Sequence, residues 1–237
     1  MTLPKLAMLL LALAPPSALT GCAALDVAAG EPTTERRTIE DVSAVTLASV
    51  GDLHIRTGAE SSLTVTAGDR VIDRVTSEVR DGTLVLDLEG RFVRNPGRIT
   101  YDLVLPAVDE IRLEGAGAVD ADLATTDRLY VELAGAGDVT AHGVDVDDLT
   151  VRVDGAGRVT LAGTAGRQDV EISGVGGYAG EDLTSATADV TIGGAGDARV
   201  HVTNALSAVV DGAGEIVHTG GARVTSSVSG LGAVRQG

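Results

Sequence analysis

Apolar and polar residues alternate along most of the chain, and valine, isoleucine and leucine dominate the apolar positions. The pattern is plain in Ile111-Arg112-Leu113-Glu114, Val131-Glu132-Leu133-Ala134, Val151-Arg152-Val153-Asp154, Val170-Glu171-Ile172-Ser173, Val190-Thr191-Ile192-Gly193 and Ala208-Val209-Val210-Asp211. A period of two places one set of side chains on a buried face and the other in water, so it predicts strands. No stretch keeps the 3.6-residue period of an amphipathic helix, and the β-branched residues favour a pleated surface. Each strand runs into a Gly-x-Gly element. The pairs are Gly115 and Gly117, Gly135 and Gly137, Gly155 and Gly157, Gly174 and Gly176, Gly194 and Gly196, Gly212 and Gly214, and Gly230 and Gly232. Their first glycines are separated by 20, 20, 19, 20, 18 and 18 residues. A second short strand often follows, as at Val139 and Ala141. A third apolar segment lies further on, as in Val144-Asp145-Val146-Asp147-Asp148-Leu149.

A unit of about 20 residues is too small to bury its own apolar face, and stacking on like neighbours is the way out. Propeller blades need about 40 residues each, whereas one rung of a parallel β-helix fits the spacing directly. With rungs about 4.8 Å apart, seven give a column of about 34 Å. The glycines then mark corners, where positive φ or close approach to the next rung is required. Ala116, Ala136, Ala156, Ala195 and Ala213 stack between them. The N-terminal third is less regular. Its strand candidates are Ala44–Leu47, Leu53–Arg56, Leu63–Thr66, Val71–Val79, Thr83–Leu88 and Ile99–Leu105, with a hairpin turn at Asp81-Gly82 and an exposed loop at 91–97. This region reads as atypical early rungs that cap the column, the alternative being a separate β-sandwich.

The first residues carry an address. Residues 1–21 read as a signal peptide: Lys5 supplies a positive start, and Leu6 to Leu19 is apolar but shorter than the roughly 20 residues of a spanning helix. Leu19-Thr20-Gly21-Cys22 resembles a bacterial lipobox. The resemblance implies cleavage before Cys22 and attachment there of a diacylglyceryl and palmitate anchor. Lys5 is the only lysine, so the mature chain would hold 34 acids against 17 arginines, a charge of -17. Such a surface is repelled by anionic lipid, leaving the lipid itself to hold the domain at the membrane. Residues 22–37 contain no apolar period and read as a mobile tether, with the folded domain over 38–235.

The Val45-Thr46-Leu47 to Leu53-His54-Ile55 pair, the Asp81-Gly82-Thr83-Leu84 turn, the Leu103–Pro106 segment leading into Ile111–Gly117, and the repeated Gly-Ala-Gly resemble the bacterial DUF2807 family, the auto-transporter adhesin head GIN domain, from about Ile39 to Val234. The resemblance implies an all-β, right-handed parallel β-helix: a single-stranded solenoid of roughly 20-residue rungs with less regular N-terminal rungs. It also implies an extracytoplasmic lipoprotein, and adhesion by name. The 18-residue C-terminal rungs depart from fuller members, and the family supplies no catalytic residues.

Composition narrows the chemistry. A single cysteine excludes a disulfide scaffold and a cysteine-rich metal centre. A net charge of -16 argues against nucleic acid. No nucleotide fingerprint, metal-ligand cluster or cofactor motif is present; Asp197 stands one residue early for a glycine-aspartate calcium turn. One outward column deserves a test: Asp122, His142, Ala162, Glu181, His201 and Thr219 follow successive glycine pairs. Stacking would put Asp122 near His142 and Glu181 near His201, and either pair could share a proton. The aromatic residues are Phe92, Tyr101, Tyr130 and Tyr178, with Tyr130 expected outward and Tyr178 inward. The expected function is a non-enzymatic, membrane-anchored envelope module, with envelope glycan or a surface protein as partner. The alternatives are a polysaccharide lyase or hydrolase using Asp122 or Glu181, and a structural spacer.

Overall fold

A computed structural model describes residues 29–90 and 95–237. The strands are β1 (Pro32–Arg37), β2 (Ala44–Leu47), β3 (Val50–Thr57), β4 (Ser62–Gly68), β5 (Val75–Arg80), β6 (Thr83–Leu88), β7 (Thr100–Leu105), β8 (Glu110–Leu113) and β9 (Ala116–Asp122). They continue as β10 (Thr126–Leu133), β11 (Ala136–Val153), β12 (Ala156–Ile172), β13 (Val175–Ile192), β14 (Ala195–Val210), β15 (Ala213–Thr219), β16 (Arg223–Val228) and β17 (Ala233–Gln236). All belong to one 17-stranded sheet around one apolar core, so the described residues form no separate sandwich. From β8 onward every pairing is parallel, and the molecule is a parallel β-solenoid with rungs of about 20 residues.

The rungs are three-sided. In β11, Val139 and Ala141, then Val144 and Val146, then Leu149, Val151 and Val153 are buried. The alternation breaks at His142-Gly143 and at Asp147-Asp148, where two consecutive residues face solvent. Two outward neighbours in a period-two ribbon require a bend, and these bends, with the glycine element, are the corners. Stacking makes homogeneous interior columns. One runs Leu47, Leu113, Leu133, Val153, Ile172, Ile192, Val210. Tyr178 takes the inward position of Val159 and Ala198, and its ring fills the space where a Cβ at Gly180 would stand.

The glycine pairs are explained chiefly by close approach. A Cβ at Gly135 would lie 1.9 Å from the Gly115 carbonyl oxygen, and one at Gly157 would lie 1.7 Å from that of Gly137. Both glycines of an element aim at the backbone of the preceding rung, so no side chain fits at either. The same corner is laced by backbone bonds: Ala136 N–H donates to the Gly115 carbonyl at 2.9 Å, Ala156 to Gly135 at 2.9 Å, and Ala195 to Gly174 at 3.0 Å. An eighth corner is hidden at Ser49-Val50-Gly51. Gly51 pairs in register with Gly117, yet Ser49 replaces the first glycine, so the sequence motif does not show it.

The N-terminal region departs from simple stacking. The rung formed by β2 and β3 lies between β8–β9 on one side and β6–β7 on the other. The chain therefore lays down one rung, builds the base beneath it, and returns to stack above it. The base closes with antiparallel pairs: β5 with β6, β4 with β7, and β1 with β4. The β5–β6 turn has Asp81 at φ 52° and Gly82 at φ 81°, the pair of positive values that a tight hairpin needs. The strand expected from Val71 starts only at Val75, after a 3₁₀ turn over Ile72–Arg74.

The expected tether over 22–37 is corrected at its end. Residues 32–37 form β1 along the edge of β4, and Arg37 locks them down by donating to the carbonyls of Val75 at 2.6 Å and Ile72 at 3.1 Å. Edge pairing and a charged donor to the backbone replace the apolar pattern that the segment lacks. The leader, Cys22 and Phe92 fall outside the described residues. No helix among the described residues is long and apolar enough to cross a membrane.

Candidate binding surface

With the interior apolar, chemistry is confined to outward columns. Register places Asp122 opposite His142. Glu181 and His201 are not brought together. The pairing of β13 with β14 shifts between Gly180 and Thr184, so His201 lies opposite Thr184 and Glu181 stands exposed in the bulge. The reason is unequal rung length at that corner: β13 spends extra residues on the bend that β14 does not. His201 Nδ1 lies instead 3.0 Å from the Thr219 hydroxyl. The expected column thus breaks midway, and no acid faces a histidine across its upper half.

The remaining columns are laced by cross-rung polar contacts. Asp145 accepts from the hydroxyls of Thr125 and Thr164, both at 2.9 Å, and these bonds, Thr164 first, hold its carboxyl below the usual range. Arg152 pairs with Asp169 and Glu171, and Arg167 with Asp189. Arg158 receives the Asp138 carboxylate on its own backbone N–H. Its guanidinium passes over Gly177 to lie 3.6 Å from Asp197, which Arg199 also holds. A Cβ at Gly177 would stand 3.2 Å from that guanidinium, so the missing side chain keeps the path open. Exposed pairs of this kind are worth about 0.2–1 kcal/mol each and set the shape of the surface more than its stability.

The most elaborate cluster surrounds Tyr130. Arg112 bridges Glu110 and Glu132, each at 2.5 Å, and its guanidinium lies 4.9 Å from the centre of the Tyr130 ring. The Tyr130 hydroxyl donates to Glu132 at 3.0 Å. The bond to Glu110 raises the Arg112 pKa; partial burial, then Glu132, raises that of Tyr130. A 20-residue step places Glu110 beside Tyr130 and Arg112 beside Glu132, so the register could have disclosed this cluster. Tyr130 is the one aromatic on the surface among the described residues, since Tyr101 and Tyr178 are buried. A shallow depression opens beside it, lined by Arg128 and Asp148. No three potential ligands converge on a metal position among the described residues, and Asp147-Asp148 gathers no further donor. The arrangement offers hydrogen-bond donors and acceptors on a rigid frame.

The family model DUF2807, described as "Putative auto-transporter adhesin, head GIN domain", matches residues 41–222. No curated protein matches the sequence. Several solved structures share the fold. A "putative adhesin" from Bacteroides fragilis is 23% identical with a TM-score of 0.82, over 87% of this chain and 97% of its own. A "putative lipid binding protein" from Parabacteroides distasonis is 20% identical with a TM-score of 0.72, over 88% of this chain and 97% of its own. A "putative adhesin" from Parabacteroides merdae is 19% identical with a TM-score of 0.65, over 88% and 97% respectively.

Proposed function

The chain belongs to the DUF2807 family of adhesin head domains, and from that premise we propose that it is a non-catalytic envelope module, held at the membrane through a lipid on Cys22, that binds envelope glycan or a surface protein along the outside of its solenoid. One observation carries the reading. Every inward column is apolar through the regular rungs apart from the buried Gln168 and Ser185, while the charged side chains of these rungs stand outward on a backbone-bonded frame. Such a frame presents fixed polar groups without moving, which lowers the ordering cost of binding. The broken Glu181–His201 pair leaves the polysaccharide-cleaving alternative without its upper acid–histidine couple.

Two measurements test the proposal. Mass spectrometry of the N-terminal peptide from the producing cell should find a diacylglycerol-modified Cys22, and Cys22→Ser should shift the protein from the membrane to the soluble fraction. The full chain in detergent should bind isolated envelope polysaccharide or protein and return it unchanged. Shortened glycan chains after incubation would overturn the non-catalytic reading; an unmodified Cys22 would overturn the anchor.

A further inference from the structure

Arg128, Asp148, Arg167 and Arg223 stand on one corner column in unbroken register, together with Thr187 and Ala205. Two depressions open along that column. The lower is lined by Arg128, Tyr130 and Asp148, the upper by Arg167, Asp189 and Arg223. Asp148 and Arg167 are register partners on adjacent rungs, so the two depressions succeed one another along the same column and together make a trough. From Arg128 to Arg223 there are five rung steps, a run of about 24 Å along the solenoid axis.

The arginines single this trough out. Beyond Leu105, Arg112, Arg152, Arg158, Arg167, Arg199 and Arg235 all pair with carboxylates. Arg128 and Arg223 pair with none among the described residues, although acids outnumber basic residues 34 to 18 in the chain. Both are exposed, and they stand at the two ends of the same trough. An unpaired guanidinium keeps its five donors for a ligand.

We infer that this trough is a binding site for an extended, uncharged, hydroxyl-rich glycan lying parallel to the solenoid axis. This rests on the reading of the chain as an envelope-binding module and names its site and ligand class. The chemistry selects the class. Sugar hydroxyls both donate and accept, and the trough offers unpaired donors at Arg128 and Arg223 and an acceptor at Asp148, with the Arg167–Asp189 ion pair between them. A polyanion is opposed by the net charge of -16. A protein partner would want a desolvated apolar centre, whereas the outward residues on this column are mainly charged or hydroxyl-bearing. Tyr130 lines the lower end, its ring held by the Arg112 guanidinium that lies over it.

The test uses the full chain in detergent micelles against immobilised uncharged hexose oligosaccharides, tetra- to octasaccharide, and hexuronate chains of the same lengths. The wild type should bind uncharged chains, and more tightly as they lengthen. The double variant Arg128→Ala/Arg223→Ala should bind them at least about tenfold more weakly, the size of a lost charged hydrogen bond. Arg158→Ala, off the trough, should bind as the wild type does, and all three proteins should unfold at the same temperature. Undiminished binding by the double variant would overturn the trough while leaving the envelope-binding function standing. Preference for hexuronates, or binding to envelope protein with no oligosaccharide binding, would overturn the ligand class alone. If neither glycans nor envelope protein bind, the inference and the proposed function fall together.

Discussion

The regular column above Glu110 and the base below it enclose apolar cores of similar residues by different means. In the column each strand meets a near copy of itself, pairing is parallel, and each corner brings backbone against backbone. In the base, β1, β4 and β5 join antiparallel, a two-residue hairpin turns the chain, and the Arg37 side chain takes over bonds that a further rung would have made. A stack of like units needs small residues wherever neighbours touch, whereas a terminus needs irregular pairing that stops the stack. The base thereby covers one end of the core, while β16 and β17 are largely exposed at the other.

The comparison breaks most visibly at the glycines. Gly157→Val should lower stability by more than about 4 kcal/mol or abolish folding, because its side chain would meet the Gly137 carbonyl 1.7 Å away and hold φ near 146°. Gly193→Ala in the same column should change stability by less than about 0.5 kcal/mol, since nothing lies within 4 Å of its Cβ position. Urea unfolding of the pair checks this; equal losses would mean that glycine serves chain freedom and not close approach.

Arg37→Ala should cost about 2 kcal/mol, by leaving the Val75 and Ile72 carbonyls without their donor. Hydrogen exchange should then quicken in β1 and β4 while β11 to β13 keep their protection. A uniform loss of protection would show that base and column unfold as one.

The two buried tyrosines sharpen the contrast most finely. Tyr178 in the column donates to Gln168 at 3.0 Å, and Gln168 donates on to Ser185 at 2.7 Å. Tyr101 in the base has only the equally unpartnered Ser49 hydroxyl beside its own buried hydroxyl, outside good hydrogen-bonding geometry. Tyr178→Phe should therefore cost about 1 kcal/mol, and Tyr101→Phe should cost nothing or raise the melting temperature. Burial also pushes the Tyr101 pKa up to about 12 and that of Tyr178 up further. The neutral phenols are favoured in the fold. Their stabilisation is present below the ordinary tyrosine pKa near 10 and is lost as pH climbs toward 12. Alkaline melts, with phenolate absorbance followed in parallel, should show Tyr130 ionising in the folded protein and the other two only on unfolding.

Much of the fold was legible because its determinants are local and repeated. The inward columns follow from alternation, and seven Gly-x-Gly elements announce their spacing. The eighth corner escaped because Ser49 stands in place of the first glycine, although Gly51 keeps the second. The Tyr130 cluster was within reach of a 20-residue register. The Glu181–His201 couple was not testable by counting, since a bulge shifts every position beyond it.

What the sequence alone determined is the solenoid itself, its rung length, its glycine corners and the placement of chemistry on the outside, because a rung interacts chiefly with its neighbours and the pattern repeats at each step. Only the tertiary structure decided that β2–β3 sits between the base and β8–β9, that residues 32–37 form an edge strand, and that two arginines without carboxylate partners among the described residues stand at the ends of one corner column. Those features depend on a long excursion closing upon itself and on unequal bends. Neither leaves a period in the chain, and both are settled by which edges and charges find partners once the column has formed.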